Sequence, residues 1–81
     1  NYLLGMIMKE KGDTAKAISF FRNCMEINPN YFDVYDQMGY IEKARNKPEA
    51  IEYFNTALKI NPESITSLYG RALCYQNKND F

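Results

Sequence analysis

The chain repeats itself. Ala17-Ile18-Ser19-Phe20-Phe21 aligns with Ala50-Ile51-Glu52-Tyr53-Phe54, and Ile27-Asn28-Pro29 with Ile60-Asn61-Pro62, each residue 33 positions from its partner. Gly5 and Gly39 are 34 apart, each preceded by a large apolar residue, Leu4 or Met38. A third stretch follows the same rule through Leu68, Ala72 and Tyr75. A period of this length marks a supersecondary unit that cannot bury its apolar face alone and stacks on its neighbours to do so.

Each unit reads as two helices. In the first, Tyr2 to Lys11 form one helix, and Gly12-Asp13 breaks it: glycine suits the left-handed position after a helix and Asp13 can cap the next one. Thr14 to Ile27 form the second helix, which Asn28-Pro29-Asn30 ends because proline cannot continue it. The second unit is expected to run from about Tyr31 to Arg45, turn at Asn46-Lys47, and restart with Pro48 at the first helical position, where its missing N–H costs nothing. That helix reaches Ile60 before Asn61-Pro62 breaks it, and Ser64 is placed to cap a last helix through about Lys78.

These residues resemble the tetratricopeptide repeat. Along its first helix that family places a bulky residue, a large apolar one, a small one and an aromatic; along its second, a small residue, an aromatic, a small residue and a proline. Those places hold Asn1, Leu4, Gly5, Met8, Ala17, Phe21, Cys24 and Pro29 in the first unit. In the second they hold Tyr35, Met38, Gly39, Glu42, Ala50, Phe54, Ala57 and Pro62, and in the third Leu68, Arg71, Ala72 and Tyr75. The resemblance covers the whole chain and implies an all-α fold: about five helices in antiparallel helix-turn-helix repeats, stacked into a right-handed α-solenoid. One domain, 1–81, is then divided into repeat one (1–31), repeat two (32–64) and a partial repeat three (65–81).

The second unit departs from the pattern. It is one residue short and has no glycine in its turn. Glu42 falls on the aromatic place, where burial is not expected, and Ile41 is expected to point inward instead. Arg71 stands at a large apolar place, where its stem can pack while its head reaches water. Asn1 at the bulky place implies a first helix without its opening turn. Because the pattern stops where the third unit's second helix should begin, the chain reads as an excerpt of a longer array, with an uncovered face at Leu68, Ala72 and Tyr75.

Composition removes several functions. Ten basic and ten acidic side chains give a formal net charge of zero, which argues against nucleic acid, since phosphate binding needs a basic face. No apolar run is long enough to span a bilayer, and a neutral chain gives no reason to expect a membrane surface. The sequence has no histidine, the commonest general base and metal ligand. The two cysteines, Cys24 and Cys74, lie inside apolar helical patterns, read as unpaired core thiols, and point to a reducing, cytoplasmic setting. A catalytic thiol lacks a base. No catalytic residue, cofactor or metal is expected, so the chain is not read as an enzyme.

What remains is binding. The family resemblance implies a concave groove lined by the first helix of each unit. Carried over, the candidate groove residues are Tyr2, Met6 and Lys9 from unit one, Asp33, Asp36, Gln37, Tyr40 and Lys43 from unit two, and Thr66, Tyr69, Leu73 and Gln76 from unit three. The same face also takes in Leu3, Glu10, Gly70 and Asn77. Some family members clamp acidic carboxyl-terminal tails with lysines, asparagines and an arginine; here those places hold Tyr2, Met6, Gln37, Thr66 and Gly70, and none matches. Tyrosine suits peptide recognition, offering a large face with a polar tip. With Asp33 and Asp36 read as an acidic spot, the expected ligand is a basic or apolar peptide. The partner is therefore expected to be a protein or peptide. The alternatives are a self-assembly module that associates through the uncovered last helix, and an accessory domain of a larger enzyme.

Overall fold

The computed structural model describes residues 2–79, with side chains as far as Gln76; the expectations for Asn1, the Asn77 side chain and the last residues of the sequence lie outside the described residues. Five helices follow in order: α1 (Tyr2–Glu10), α2 (Thr14–Ile27), α3 (Phe32–Ala44), α4 (Glu49–Ile60) and α5 (Ile65–Asn79). Among the described residues there is no strand, and no helix is long and apolar enough to cross a membrane. Within this all-α stack, α1 pairs with α2, α3 with α4, and α5 packs on both α4 and α3.

The turns show why the helices stop where they do. Gly12 takes φ +84°, and the N–H groups of Asp13 and Gly12 donate back to Met8 O (2.9 Å) and Lys9 O (3.0 Å). That pair of bonds satisfies two carbonyls at the end of α1. The glycine-free turn of the second unit uses the same geometry: Asn46 takes φ +59°, while Lys47 N–H bonds Glu42 O (2.9 Å) and Asn46 N–H bonds Lys43 O (3.0 Å). Asparagine is the non-glycine residue that best tolerates this conformation. Pro48 stands one place earlier than its sequence suggests, as the residue before α4 rather than its first member. Asp13 caps α2 by accepting from Lys16 N–H at 3.2 Å, and Ser64 Oγ accepts from Ser67 N–H at 3.3 Å at the start of α5. The two Asn-Pro breaks also match, with Asn28 N–H on Cys24 O and Asn61 N–H on Ala57 O, both 2.8 Å.

Packing centres on two phenylalanines, both with no exposed surface. Phe21 lies against Gly5, where an added Cβ would sit 2.6 Å from its ring. Phe54 is held between Gly39 and Gly70, each too close to its ring to admit a side chain. Around Phe21 are Ala17, Cys24, Val34, Met38 and Ile41; around Phe54 are Ala50 and Cys74. Each buried ring contributes about 1.5–3 kcal/mol of transfer free energy. Both cysteines are free and buried, and Ile41 points inward as expected.

Glu42 corrects the expectation that it stays out of the core. It is buried, and its carboxylate accepts from Arg45 Nη1 at 2.9 Å. An arginine three residues on supplies the partner that makes this burial tolerable. Arg71 also has a partner: its half-buried side chain reaches Asn55 Oδ1 at 3.0 Å, bracing α5 on α4.

Candidate functional site

The candidate groove residues lie on α1, α3 and α5, and the contacts between these helices show what each is free to do. On α1, Tyr2 is half-buried, its ring 5.8 Å from Phe21 and 5.1 Å from Tyr31. Burial, followed by the neighbouring Asp33 carboxylate, pushes its phenol above the usual value. Met6 is half-buried on the same face. Lys9 reaches across to α3, donating from Nζ to Gln37 Oε1 at 2.6 Å. Leu3 and Glu10 are exposed.

Asp36 on α3 is not a groove surface residue. It is 3% exposed, and its carboxylate accepts from Thr66 Oγ1 at 2.7 Å and from Ser67 Oγ. Ser64 Oγ lies 2.9 Å from Ser67 Oγ, to which it can donate, and 3.1 Å from Thr66 Oγ1. The carboxylate therefore sits at the N-terminus of α5, where the helix dipole favours an anion, and its hydrogen bonds are met from within the chain. Asp33, by contrast, is half-buried beside Tyr2. The acidic spot read from the sequence is thus reduced to one carboxylate.

Tyr40 is a strut. Its hydroxyl donates to Thr66 O at 2.7 Å, and its ring meets Phe54 edge-on with centroids 4.9 Å apart. Burial and the nearby Asp36 raise its phenol. Lys43, one turn further along α3, is half-buried and close enough to Cys74 to oppose the rise that burial gives that thiol. On α5, Thr66 is exposed but committed to Asp36, Gly70 is buried under Phe54, Leu73 is half-buried, and Tyr69 and Gln76 are exposed. Tyr69 is 61% exposed.

Of the apolar and aromatic candidates, Met6, Tyr40 and Leu73 are thus half-buried and Tyr69 is exposed. The two ion pairs among the described residues, Lys16 with Asp13 and Arg45 with Glu42, lie outside this set. Lys9 and Lys43 have no carboxylate partner among the described residues. Also among the described residues, no three His, Cys, Asp or Glu side chains converge as metal ligands would. The Asp36 network escaped the sequence reading. Its trace in the sequence is the hydroxyl cluster Ser64, Thr66 and Ser67 at a helix start, 30 and 31 residues after the aspartate in the case of Thr66 and Ser67. A trough of about 720 Å³ lies along α4, bordered by Pro48, Ile51, Leu58, Lys59 and Arg71.

Residues 1–31 and 45–64 match the sequence profile of the tetratricopeptide repeat. The chain is similar to a UDP-N-acetylglucosamine–peptide N-acetylglucosaminyltransferase of Giardia intestinalis, 28% identical over 82 aligned positions that cover all of this chain and 6% of the relative. It is also similar to the peroxisomal targeting signal receptor of Saccharomyces cerevisiae, 27% identical over 75 positions, 91% of this chain and 12% of the relative. The chain thus spans about a tenth or less of the length of either relative.

Proposed function

The chain belongs to the tetratricopeptide repeat family, and from that premise we propose that it is a non-catalytic protein-interaction scaffold that takes a segment of a partner protein in the groove along α1, α3 and α5. One observation carries the reading: Tyr69, a large aromatic, stands 61% exposed on that face, beside an α3–α5 contact fixed by Asp36 and Tyr40. An exposed tyrosine is a common anchor of an interface, because it offers a large face with few rotatable bonds to immobilise when it is covered. One of the similar proteins is by its name a receptor for a targeting signal, which agrees with peptide recognition but does not carry over the signal it reads.

The test is to pan a randomised peptide library against the 81-residue chain and measure the enriched peptides by fluorescence anisotropy. Tyr69→Ala is expected to weaken binding about tenfold or more. Ile27→Ser, at a residue more exposed than Tyr69 but on α2, is expected to leave it unchanged. Peptides that bind both variants alike would place the working surface elsewhere.

A second reading has its own support. Leu68 and Tyr75 on α5 are 42% and 47% exposed, an apolar face of the kind that joins subunits. Self-association through that face predicts a mass that rises with concentration and falls on Leu68→Ser; a concentration-independent monomer removes it.

A further inference from the structure

We infer that the groove holds a seat for an arginine side chain of its partner segment, made by the rings of Tyr2 and Tyr31 and the carboxylate of Asp33. The inference rests on the groove reading above and names one group that the ligand carries. It keeps the sign of charge that the sequence suggests but moves its source, from the pair Asp33 and Asp36 to Asp33 set beside two aromatic rings.

The seat lies where α1 meets the start of α3. Tyr2 opens α1, Tyr31 is the residue before α3, and Asp33 stands in the first turn of α3. All three are half-buried, so each keeps part of its surface open. The centroids of the Tyr2 and Tyr31 rings are 5.1 Å apart, with the rings tilted by 48°, and buried Phe21 lies 5.8 Å from Tyr2. A cation is drawn to the face of a tyrosine within about 6 Å of its centroid, so one guanidinium can reach both rings.

Asp33 supplies the counter-charge. Among the described residues its carboxylate has no ion-pair partner, and no side-chain bond caps the start of α3. No buried side-chain oxygen among those residues lacks a hydrogen bond, so the unpaired oxygens of Asp33 open to solvent. The helix dipole favours an acid in the first turn of α3, but it fills none of those acceptor sites. The surroundings are also negative. Burial comes first among the causes that raise the Tyr2 phenol; Asp33, Tyr31 and Asp36 follow, and no lysine or arginine opposes them. Lys9 is held instead by Gln37, one turn further along α3 than Asp33. Arginine suits the seat better than lysine, because a planar guanidinium stacks on a ring while its N–H groups pair with a carboxylate.

The experiment uses the 81-residue chain and four series of acetylated, amidated peptides. The series share neutral sequences containing Leu and Phe and differ at one position, which holds Arg, Lys, Glu or citrulline, the uncharged counterpart of arginine. Affinities are measured by anisotropy, and amide shifts in 1H–15N spectra report where the varied residue sits. The arginine series is expected to bind tightest, to lose part of its advantage at high salt, and to shift the amides around Tyr31 and Asp33. Asp33→Asn should lower its affinity about three- to tenfold and leave the citrulline series unchanged. Tyr31→Leu should also reduce the gap between arginine and citrulline, with helicity by circular dichroism unchanged in both variants. Asp33→Lys should transfer preference to the glutamate series. Tightest binding of the glutamate series by the parent chain, or an arginine advantage that survives both Asp33→Asn and Tyr31→Leu, overturns the inference. If the four series bind equally and Tyr69→Ala weakens them all, the seat is lost but the groove stands. If none binds and the panned peptides also ignore Tyr69, both readings are lost together.

Discussion

Asp36 on α3 accepts a 2.7 Å hydrogen bond from the hydroxyl of Thr66, thirty residues later on α5. With the bond from Ser67 beside it, this ties two successive units at their groove edge. Ser67 has no exposed surface, so Asp36→Ala would leave it with only Ser64 Oγ as a partner. That substitution is expected to cost about 1–3 kcal/mol, the range for stranding buried polar groups. Asp36→Asn keeps an acceptor for one hydroxyl and should lose about half as much. Urea unfolding gives both values, and amide exchange should show the loss concentrated in α5. An Asp36→Ala protein as stable as the parent would mean that the network adds nothing.

Gly39 on α3 and Gly70 on α5 both lie against the ring of Phe54. On helix propensity alone, Gly→Ala at either site should stabilise by about 1 kcal/mol. Packing reverses the sign. A Cβ on Gly39 would lie 2.7 Å from the ring, one on Gly70 closer still, and a fully buried ring approached by both has little room to retreat. Gly70→Ala is therefore expected to lower stability by about 1–3 kcal/mol. Phe54→Leu should relieve it, so that the double substitution costs less than the sum of the singles, measured as a double-mutant cycle. Strict additivity would show that the ring and the glycine do not share the strain.

The same contrast explains how much the sequence discloses. The helices and the Phe21–Gly5 and Phe54–Gly39 contacts are legible because they recur with the period: a small residue on one helix faces an aromatic on the next in both units. Gly70 against Phe54 is not, because the equivalent place in the second unit holds Gln37, and a single occurrence makes no pattern. The role of Asp36 depends on the register between units, which no local periodicity encodes. On the helix it is one residue from Gln37, yet that step turns it from the groove to the joint with α5. Glu42 was the opposite case. Its partner Arg45 stood three residues away in plain view, but reading the position through the family's aromatic concealed the ion pair.

Tyr40 and Tyr2 make the fold sensitive to alkali. Burial is the leading cause of the raised phenol in both, with Asp36 adding to it at Tyr40 and Asp33 at Tyr2. The native state thus favours the protonated form, and the unfolded chain loses its proton first, at about pH 10. The stability that these groups contribute is fully present below that value and is lost as pH rises through the higher native one. Urea midpoints should begin to decline above about pH 8.5, because the Cys74 thiol is also raised in the native state, and fall more steeply above about pH 10. Tyr40→Phe should lower the midpoint at every pH, since the 2.7 Å bond to Thr66 O is gone, and at the same time flatten the alkaline fall. Adding Tyr2→Phe should flatten it further. A slope above about pH 10 unchanged in the double variant would show that these two phenols do not set it.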